Sequence, residues 1–498
     1  MAITAAPAGL DPSRPYRLHP QVAVRPEEFG ALAYHYGNRR LVFLRSPALV
    51  ELVRRLGDHP SVEAALATVN ASRRPAFAAA LASLERAELI QDAGPAAARS
   101  RPPKDASDGA PPLGSPPASP TGATSRPLVA QLRPGLESPI CLTWELTYAC
   151  NLACVHCLSS SGRRDPAELD TAEARAVIDE MAAMSIFYVN VGGGEPTIRP
   201  DFFDLVDYAV DRGVGVKFST NGTRIDAARA AALAAKDYVD VQVSLDGATA
   251  AVNDAVRGEG SYAAARRAMD HLAAAGFGPF KISVVVTRHN LGQLDDFDEI
   301  ARSYGAQLRL TRLRPSGRGA DTWDQLHPTA EQQHQLYRWL LDRPHVLTGD
   351  SFFHLSALGE SLPGLNLCGA GRVVCLIDPV GDVYACPFVL HPDFRAGNVR
   401  QPGGFASVWR QSSLFADLRR SQSGGACSAC GAFDACQGGC MAAKFFTGLP
   451  LDGPDPECAL GHGEPALSRA GVRPATGPGH SRPSPVAVPL RLRRGARS

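Results

Sequence analysis

The chain of 498 residues has no run of the 18 or so consecutive apolar residues that a bilayer-spanning helix requires. Its opening Met1-Ala-Ile-Thr-Ala-Ala-Pro also lacks the basic segment and apolar stretch of a secretory leader. Neither sign of charge dominates: 51 Lys+Arg against 50 Asp+Glu leave a formal +1, so no broad field for gripping nucleic acid or an anionic membrane is present. Cysteine is sparse for a disulfide-stapled secreted protein, with twelve in 498 residues. A cytoplasmic protein with no membrane or nucleic-acid partner is the expectation, and the length suits two to four domains.

The few cysteines present are not scattered. Cys141, Cys150, Cys154 and Cys157 form one group, and Cys368, Cys375, Cys386, Cys427, Cys430, Cys436, Cys440 and Cys458 form another. Clustered thiols in a reducing compartment read as metal ligands.

Residues 14–92 have the outline of a winged-helix module. Gly37-Asn38 separates two short strand patterns and suits a tight turn with positive φ. Ser46-Pro47 starts a helix with Leu49, Val50, Val53 and Leu56 on one face. Two shorter helical patterns follow, around 61–69 and 75–86. Such a fold either reads DNA with a basic helix or captures a peptide as an added strand. Eleven Arg, no Lys and nine acidic residues over 1–95 leave only +2 for a phosphate-binding face.

Residues 93–137 form a proline-rich linker, with eleven prolines between Pro95 and Pro139. A coil of that length spans about 35–40 Å and keeps a tethered ligand at up to about millimolar effective concentration. Beyond it, apolar runs at 140–147, 186–191, 214–219, 239–245, 281–287 and 307–313 alternate with amphipathic helices. One helix starts at Asp170 and Glu173 with a capping-box pattern and an inner face of Ala174, Val177, Ile178 and Met181. The alternation predicts an α/β fold with a parallel sheet, open or closed into a partial barrel. Residues 466–498, rich in Pro, Gly and Arg, read as a disordered tail.

Cys150-x3-Cys154-x2-Cys157 follows the first strand, where the loops of α/β folds build active sites. Three thiolates without a nearby fourth ligand suit an iron-sulfur cluster with one iron left open. A zinc site using His156 is the alternative, made awkward by the position of His156 between two of the cysteines. The spacing, with His156 at the aromatic position, resembles the radical S-adenosylmethionine (SAM) superfamily and implies a partial (β/α)6 TIM-like barrel. The loops after the next strands agree: Gly193-Gly194-Glu195-Pro196, Ser219-Thr220-Asn221-Gly222 and Ser244-Leu245-Asp246-Gly247. The resemblance implies SAM contacts from His156, Gly193, Gly194, Glu195, Pro196, Ser219, Asn221, Ser244 and Asp246. For Glu195, pairing with the SAM ammonium competes with the plainer expectation of a solvated carboxylate.

The downstream cysteines resemble the SPASM extension, which carries two auxiliary iron-sulfur clusters in peptide-modifying radical enzymes. That implies three 4Fe-4S clusters in all. One auxiliary cluster would take Cys368, Cys375, Cys386 and Cys440, the other Cys427, Cys430, Cys436 and Cys458, with zinc knuckles as the alternative. Cys141 reads as a small buried hydrophobe. The implied layout is a barrel at 138–345 and a SPASM domain at 346–465.

Segments such as Leu142-Thr143-Trp144-Glu145-Leu146-Thr147-Tyr148-Ala149-Cys150 and Gly439-Cys440-Met441-Ala442-Ala443-Lys444-Phe445-Phe446 resemble the mycofactocin radical SAM maturases. Residues 14–92 resemble the mycofactocin peptide chaperones, through Tyr16-Arg17-Leu18-His19-Pro20-Gln21-Val22. These are usually separate chains. The resemblance implies an enzyme that decarboxylates the C-terminal tyrosine of a ribosomal precursor peptide and then joins it to the adjacent valine. Electrons would come from a donor such as a flavodoxin or ferredoxin. Arg312, Arg314 and Arg318 read either as contacts to peptide carboxylates or as a solvated strand end. No catalytic acid or base is identified. A radical SAM enzyme with another task, such as sulfatase maturation or thioether formation, and an iron-sulfur winged-helix regulator are the competing readings.

Overall fold

The computed structural model describes residues 10–38, 40–94, 132, 134–348, 352–362, 367–420 and 427–470. The proline-rich segment between 95 and 131 and the tail beyond 470 lie outside the described residues. Two compact units are present.

The first unit is built on β1 (Tyr16–Leu18), β2 (Val22–Glu27), β3 (Gly30–His35), β4 (Leu41–Leu44) and β5 (Ile90–Asp92). Strands β2, β3 and β4 form an antiparallel sheet, and β1 pairs antiparallel with β5. The helix Pro47–Arg54 starts as its sequence dictates, with Ser46 Oγ accepting the Leu49 N–H and proline in the first turn. Leu49, Val50, Val53 and Leu56 enter a core with Leu44, Val62, Leu81 and Ile90. One turn is made differently from expectation. Neither Gly37 nor Asn38 takes positive φ; the imidazole Nδ1 of His35 accepts both of their N–H groups instead, at 3.0 and 3.3 Å.

The second unit carries six parallel strands, β6 (Cys141–Glu145), β7 (Tyr188–Gly192), β8 (Gly215–Thr220), β9 (Val239–Ser244), β10 (Lys281–Val286) and β11 (Gln307–Arg312). They lie in sequence order in the sheet, with helices in the connections. Each strand alternates. Leu142, Trp144, Val189, Val191, Val216, Phe218, Val241 and Val243 are buried on one side. The opposite side is polar and linked across strands, with Asn190 Nδ2 reaching Cys141 Sγ at 3.1 Å and Gln242 Nε2 reaching Ser219 Oγ at 2.9 Å. Cys141 is therefore half-buried on the polar side and is not a core hydrophobe.

The helix Thr171–Ala183 has its capping box: Asp170 Oδ1 accepts the Glu173 N–H, and Glu173 Oε2 accepts the Asp170 N–H. Ala174, Val177, Ile178 and Met181 on it are buried.

The sheet does not end at β6. Strand β12 (Val374–Ile377) adds in parallel beside β6, and β13 (Asp382–Tyr384) and β14 (Arg395–Asn398) continue antiparallel, giving nine strands in the order 11-10-9-8-7-6-12-13-14. The cysteine-rich C-terminal region is thus hydrogen-bonded into the barrel sheet, with Cys375 opposite Leu142. Helix Gly463–Ala470 extends into the segment read as tail, so ordered structure reaches 470. No helix among the described residues is long and apolar enough to cross a membrane.

Candidate active site

The loop Cys150–Cys157 leaves the end of β6 and is pinned before the first cysteine. Buried Glu168 accepts the Tyr148 N–H at 2.8 Å and the Thr147 hydroxyl at 2.9 Å. The Cys150 N–H donates to Gly162 O. All three cysteines are free of disulfides and half-buried. Burial pushes the Cys150 thiol up to about 11, and burial likewise raises Cys154 even though Arg257 and Arg318 act in the opposite sense. Thiols so placed ionise readily only beside a cation. Among the described residues, no three His, Cys, Asp or Glu side chains gather tightly enough to hold a single metal ion. A multi-iron cluster needs no such convergence, because each thiolate meets a different iron. The donor set fits such a group.

The turn after β7 is locked against this loop. Gly194 N–H donates to Thr147 O, and Glu195 N–H donates to Ala149 O. Gly193 has φ +108°, and a Cβ on Gly194 would sit 2.0 Å from Ala149 O. Glycine is needed here for backbone against backbone. Pro196 begins a short 3-10 turn capped by the Glu195 carboxylate.

Glu195 is 1% exposed, so the solvated reading fails. Its oxygens accept from the Thr197 N–H and hydroxyl, the Thr220 hydroxyl and the Asn221 N–H. Burial raises its carboxyl against these four donors. It is a brace that joins the second and third strand-end loops. Ser219 and Ser244 lie inside β8 and β9, so the turns begin later than their motifs suggested. Asn221 Nδ2 donates to Asn151 Oδ1, and Asn151 Nδ2 to Thr223 Oγ1, tying the third loop to the residue after Cys150.

Asp246 gathers the fourth loop. Its carboxylate meets His156 Nε2 at 3.0 Å and Arg257 Nη1 at 2.6 Å, and accepts the Val285 N–H at 2.7 Å. Burial alone would raise Asp246, but its contacts with His156 and Arg257 overcome it and hold the carboxyl well below the usual range. His156 is thereby oriented, with its buried Nδ1 unpartnered.

Arg312 and Arg314 are buried and Arg318 is half-buried, so the three do not form a solvated strand end. Arg312 is buried in an ion pair with Asp455 and Glu457. Arg314 donates to Arg312 O and lies 4.4 Å over the Phe388 ring. Arg318 donates to Cys154 O and Ser161 O, both at 2.9 Å, and so clamps the first cysteine loop from the start of the helix Arg318–Leu326. Gly317, at φ +55°, packs against the carbonyls of Cys157 and Leu158. Sequence reading missed these braces, because nothing in local spacing joins residue 318 to residue 154; the one signal was the close run of arginine and glycine after β11.

In the second region Asp455 is the hub. It accepts the Cys440 N–H at 2.7 Å and the Glu457 N–H at 2.9 Å, and its backbone carbonyl accepts the Cys458 N–H. A Cβ on Gly439 would stand 2.4 Å from Asp455 Cβ, so only glycine lets the carboxylate approach. Burial would raise Asp455, but Arg312 reverses this and holds it low. Burial raises the Cys386 thiol, which also feels Cys368 and Cys440; Cys436 feels Cys458, Cys427 and Cys430.

At the end of β6, Glu145 is fully buried on the polar side. Burial, then the nearby Asp378, push its carboxyl up to about 8. Asp378, raised by burial to about 7, accepts the Tyr148 hydroxyl at 2.8 Å.

Comparison with known proteins agrees with this architecture. Residues 144–302 match the radical SAM superfamily, 368–431 an iron-sulfur cluster-binding domain, and 15–91 the peptide chaperone MftB family. Mycofactocin maturase MftC of Mycobacterium tuberculosis (strain CDC 1551 / Oshkosh) is 66% identical over 368 residues, covering 73% of this chain and 94% of that protein. The chain belongs to the mycofactocin maturase family. Its counterpart from Mycobacterium ulcerans is 67% identical over 360 residues, 72% of this chain and 98% of that protein. More distantly, the AdoMet-dependent heme synthase of Methanosarcina barkeri is 30% identical over 344 residues, 65% of this chain and 97% of that protein. In fold, the chain is similar to Streptococcus suis SuiB bound to S-adenosylmethionine, with TM-score 0.62 at 16% identity, covering 89% of this chain and 99% of that one. This is a radical SAM enzyme with a cluster-binding SPASM region and a chaperone-like N-terminal unit.

Proposed function

We propose that this chain matures a ribosomal precursor peptide ending in Val-Tyr. It oxidatively decarboxylates the tyrosine and then forms a carbon-carbon bond from that residue to the valine. The observation that carries this reading is the 66% identity to a mycofactocin maturase over nearly all of that enzyme. The bound clusters and SAM supply hydrogen-atom abstraction and one-electron transfer.

The chain's own residues hold and orient. Cys150, Cys154 and Cys157 hold the first cluster, in a loop clamped by Glu168 and Arg318. Backbone groups of Gly193 and Gly194, with Pro196, Ser219, Asn221 and Ser244, line the SAM site. His156 is presented to it by Asp246. Glu195 serves there as a brace, since its acceptors are engaged by protein donors. Two auxiliary clusters are held by Cys368, Cys375, Cys386 and Cys440 and by Cys427, Cys430, Cys436 and Cys458. The electrostatic influence of Cys368 and Cys440 on Cys386, and of Cys458 on Cys436, supports that partition.

Residues 14–92 present the precursor, and the segment 93–137 tethers it to a barrel at 138–345 and a SPASM domain at 346–465. The enzyme works in the cytoplasm with a low-potential electron donor. Reduced enzyme incubated with SAM and a Val-Tyr-ending peptide yields a product lighter by CO2 and two hydrogens; an unchanged peptide mass with all clusters loaded would refute the reading.

A further inference from the structure

A basic pocket of about 300 Å³ opens beside the third strand-end loop, lined by Arg224, Arg229, Arg267 and His271 with Asp226 as its one acidic group. Arg224 and Arg267 are exposed. Arg229 is partly engaged, donating to Arg224 O at 2.6 Å and standing 3.8 Å from Asp226. The pocket rim is Gly222-Thr223. Gly222 packs so closely on helix Ser261–Ala274 that an added Cβ would be 2.9 Å from Ala268 Cβ, which fixes the loop to the helix carrying Arg267 and His271. The same rim is hydrogen-bonded through Thr223 and Asn221 to Asn151, an exposed residue directly after Cys150. A cationic surface in a chain of net charge +1 is thus continuous with the first cysteine loop.

We infer that this basic face, Arg224, Arg229, Arg267 and His271, is the docking surface for an acidic one-electron carrier that reduces the enzyme. The inference rests on the radical SAM reading of the Cys150 loop. Each encounter oxidises the reduced carrier by one electron, which enters the enzyme on the Cys150 side. Exposed cations favour a transient protein partner over a tightly bound small anion. They remain solvated and screened, so they act mainly by steering encounter and raising the on-rate. Electron-transfer complexes sit at the small, weak end of interface sizes, where such steering matters most.

The test uses the full-length, cluster-loaded enzyme and an acidic flavodoxin. Calorimetric titration at low salt should show the Arg224→Glu/Arg267→Glu double variant binding the flavodoxin at least ten-fold more weakly than wild type. Wild-type binding should itself weaken as salt rises. The single variants Arg224→Gln and Arg267→Gln should fall between, and they guard against misfolding of the double variant. SAM cleavage driven by reduced flavodoxin should drop in parallel, while cleavage driven by dithionite stays at the wild-type rate. Undiminished flavodoxin binding by the variants would overturn the inference, as would an equal loss with dithionite. Normal SAM cleavage with no change in peptide mass would instead refute the proposed function and leave the docking surface standing.

Discussion

The two cysteine regions of this protein are built by opposite strategies. The first uses three thiols within eight residues, 150–157, and its neighbours are backbone groups: Gly194 and Glu195 donate to the chain around Thr147 and Ala149, and Arg318 grips two carbonyls. The second draws thiols from residues 368 to 458, and one of them, Cys375, is in a strand of the barrel sheet. Its organiser is a side-chain ion pair, Arg312 with Asp455, that spans 143 residues of sequence. A short loop is ordered by its own turns. A dispersed ligand set has to be assembled by long-range charge and burial, and a buried charge left without its partner is costly.

That contrast is open to direct attack. Asp455→Ala should do most damage, because it removes one of the two carboxylates that neutralise the buried Arg312 guanidinium and frees the Cys440 and Glu457 N–H groups. A loss of about 3–5 kcal/mol is expected, read by chemical denaturation, with iron content falling most at the second region. A variant with native stability and full iron content would break the proposed division of labour. Gly194→Ala is expected to cost about 1–3 kcal/mol by overpacking against Ala149 O and to weaken SAM binding in a titration, with the downstream clusters retained. Arg318→Ala should cost about 2 kcal/mol, from charged hydrogen bonds lost to two carbonyls, and should lower the iron held by the first loop alone.

Smaller effects sharpen the comparison through pH. The Glu145 carboxyl is pushed up to about 8, so the folded state binds its proton more tightly than the unfolded chain does. The stability this group contributes is therefore fully present below about 4.5 and is lost as pH rises towards 8. Glu145→Gln should then be near neutral in Tm at pH 4.5 and stabilising relative to wild type at pH 8.5; a constant difference across that range would contradict the burial argument. Least of all, Arg400→Ala removes a partly exposed pair with Glu173, whose carboxyl that arginine holds at about 2. An effect of 0–1 kcal/mol is expected. Its sign follows from a depressed acid: the contribution is present above about 4.5 and vanishes as pH falls through about 2.

Much of this was legible in the sequence. All six barrel strands lie within a few residues of their apolar runs, because parallel strands covered by helices alternate with amphipathic segments in a way that local pattern captures. The capping box at Asp170 and Glu173 and the Ser46 cap are equally local. The hidden part is systematic. Glu195 looked like an open carboxylate because its donors come from residues 197, 220 and 221. Arg312 read equally as a peptide contact or a solvated strand end, because its partners are residues 455 and 457. The addition of β12 beside β6 was equally invisible, since it pairs segments more than 200 residues apart.

By itself, then, the sequence determined the chemistry available: three clustered thiols, eight more downstream, glycine turns at strand ends and a separate peptide-chaperone-like module. These are set by residue type and by spacing along the chain. Only the tertiary structure decided which groups face a ligand and which brace the scaffold. A carboxylate or guanidinium takes its role from what surrounds it once water is excluded, and those surroundings come from distant parts of the chain.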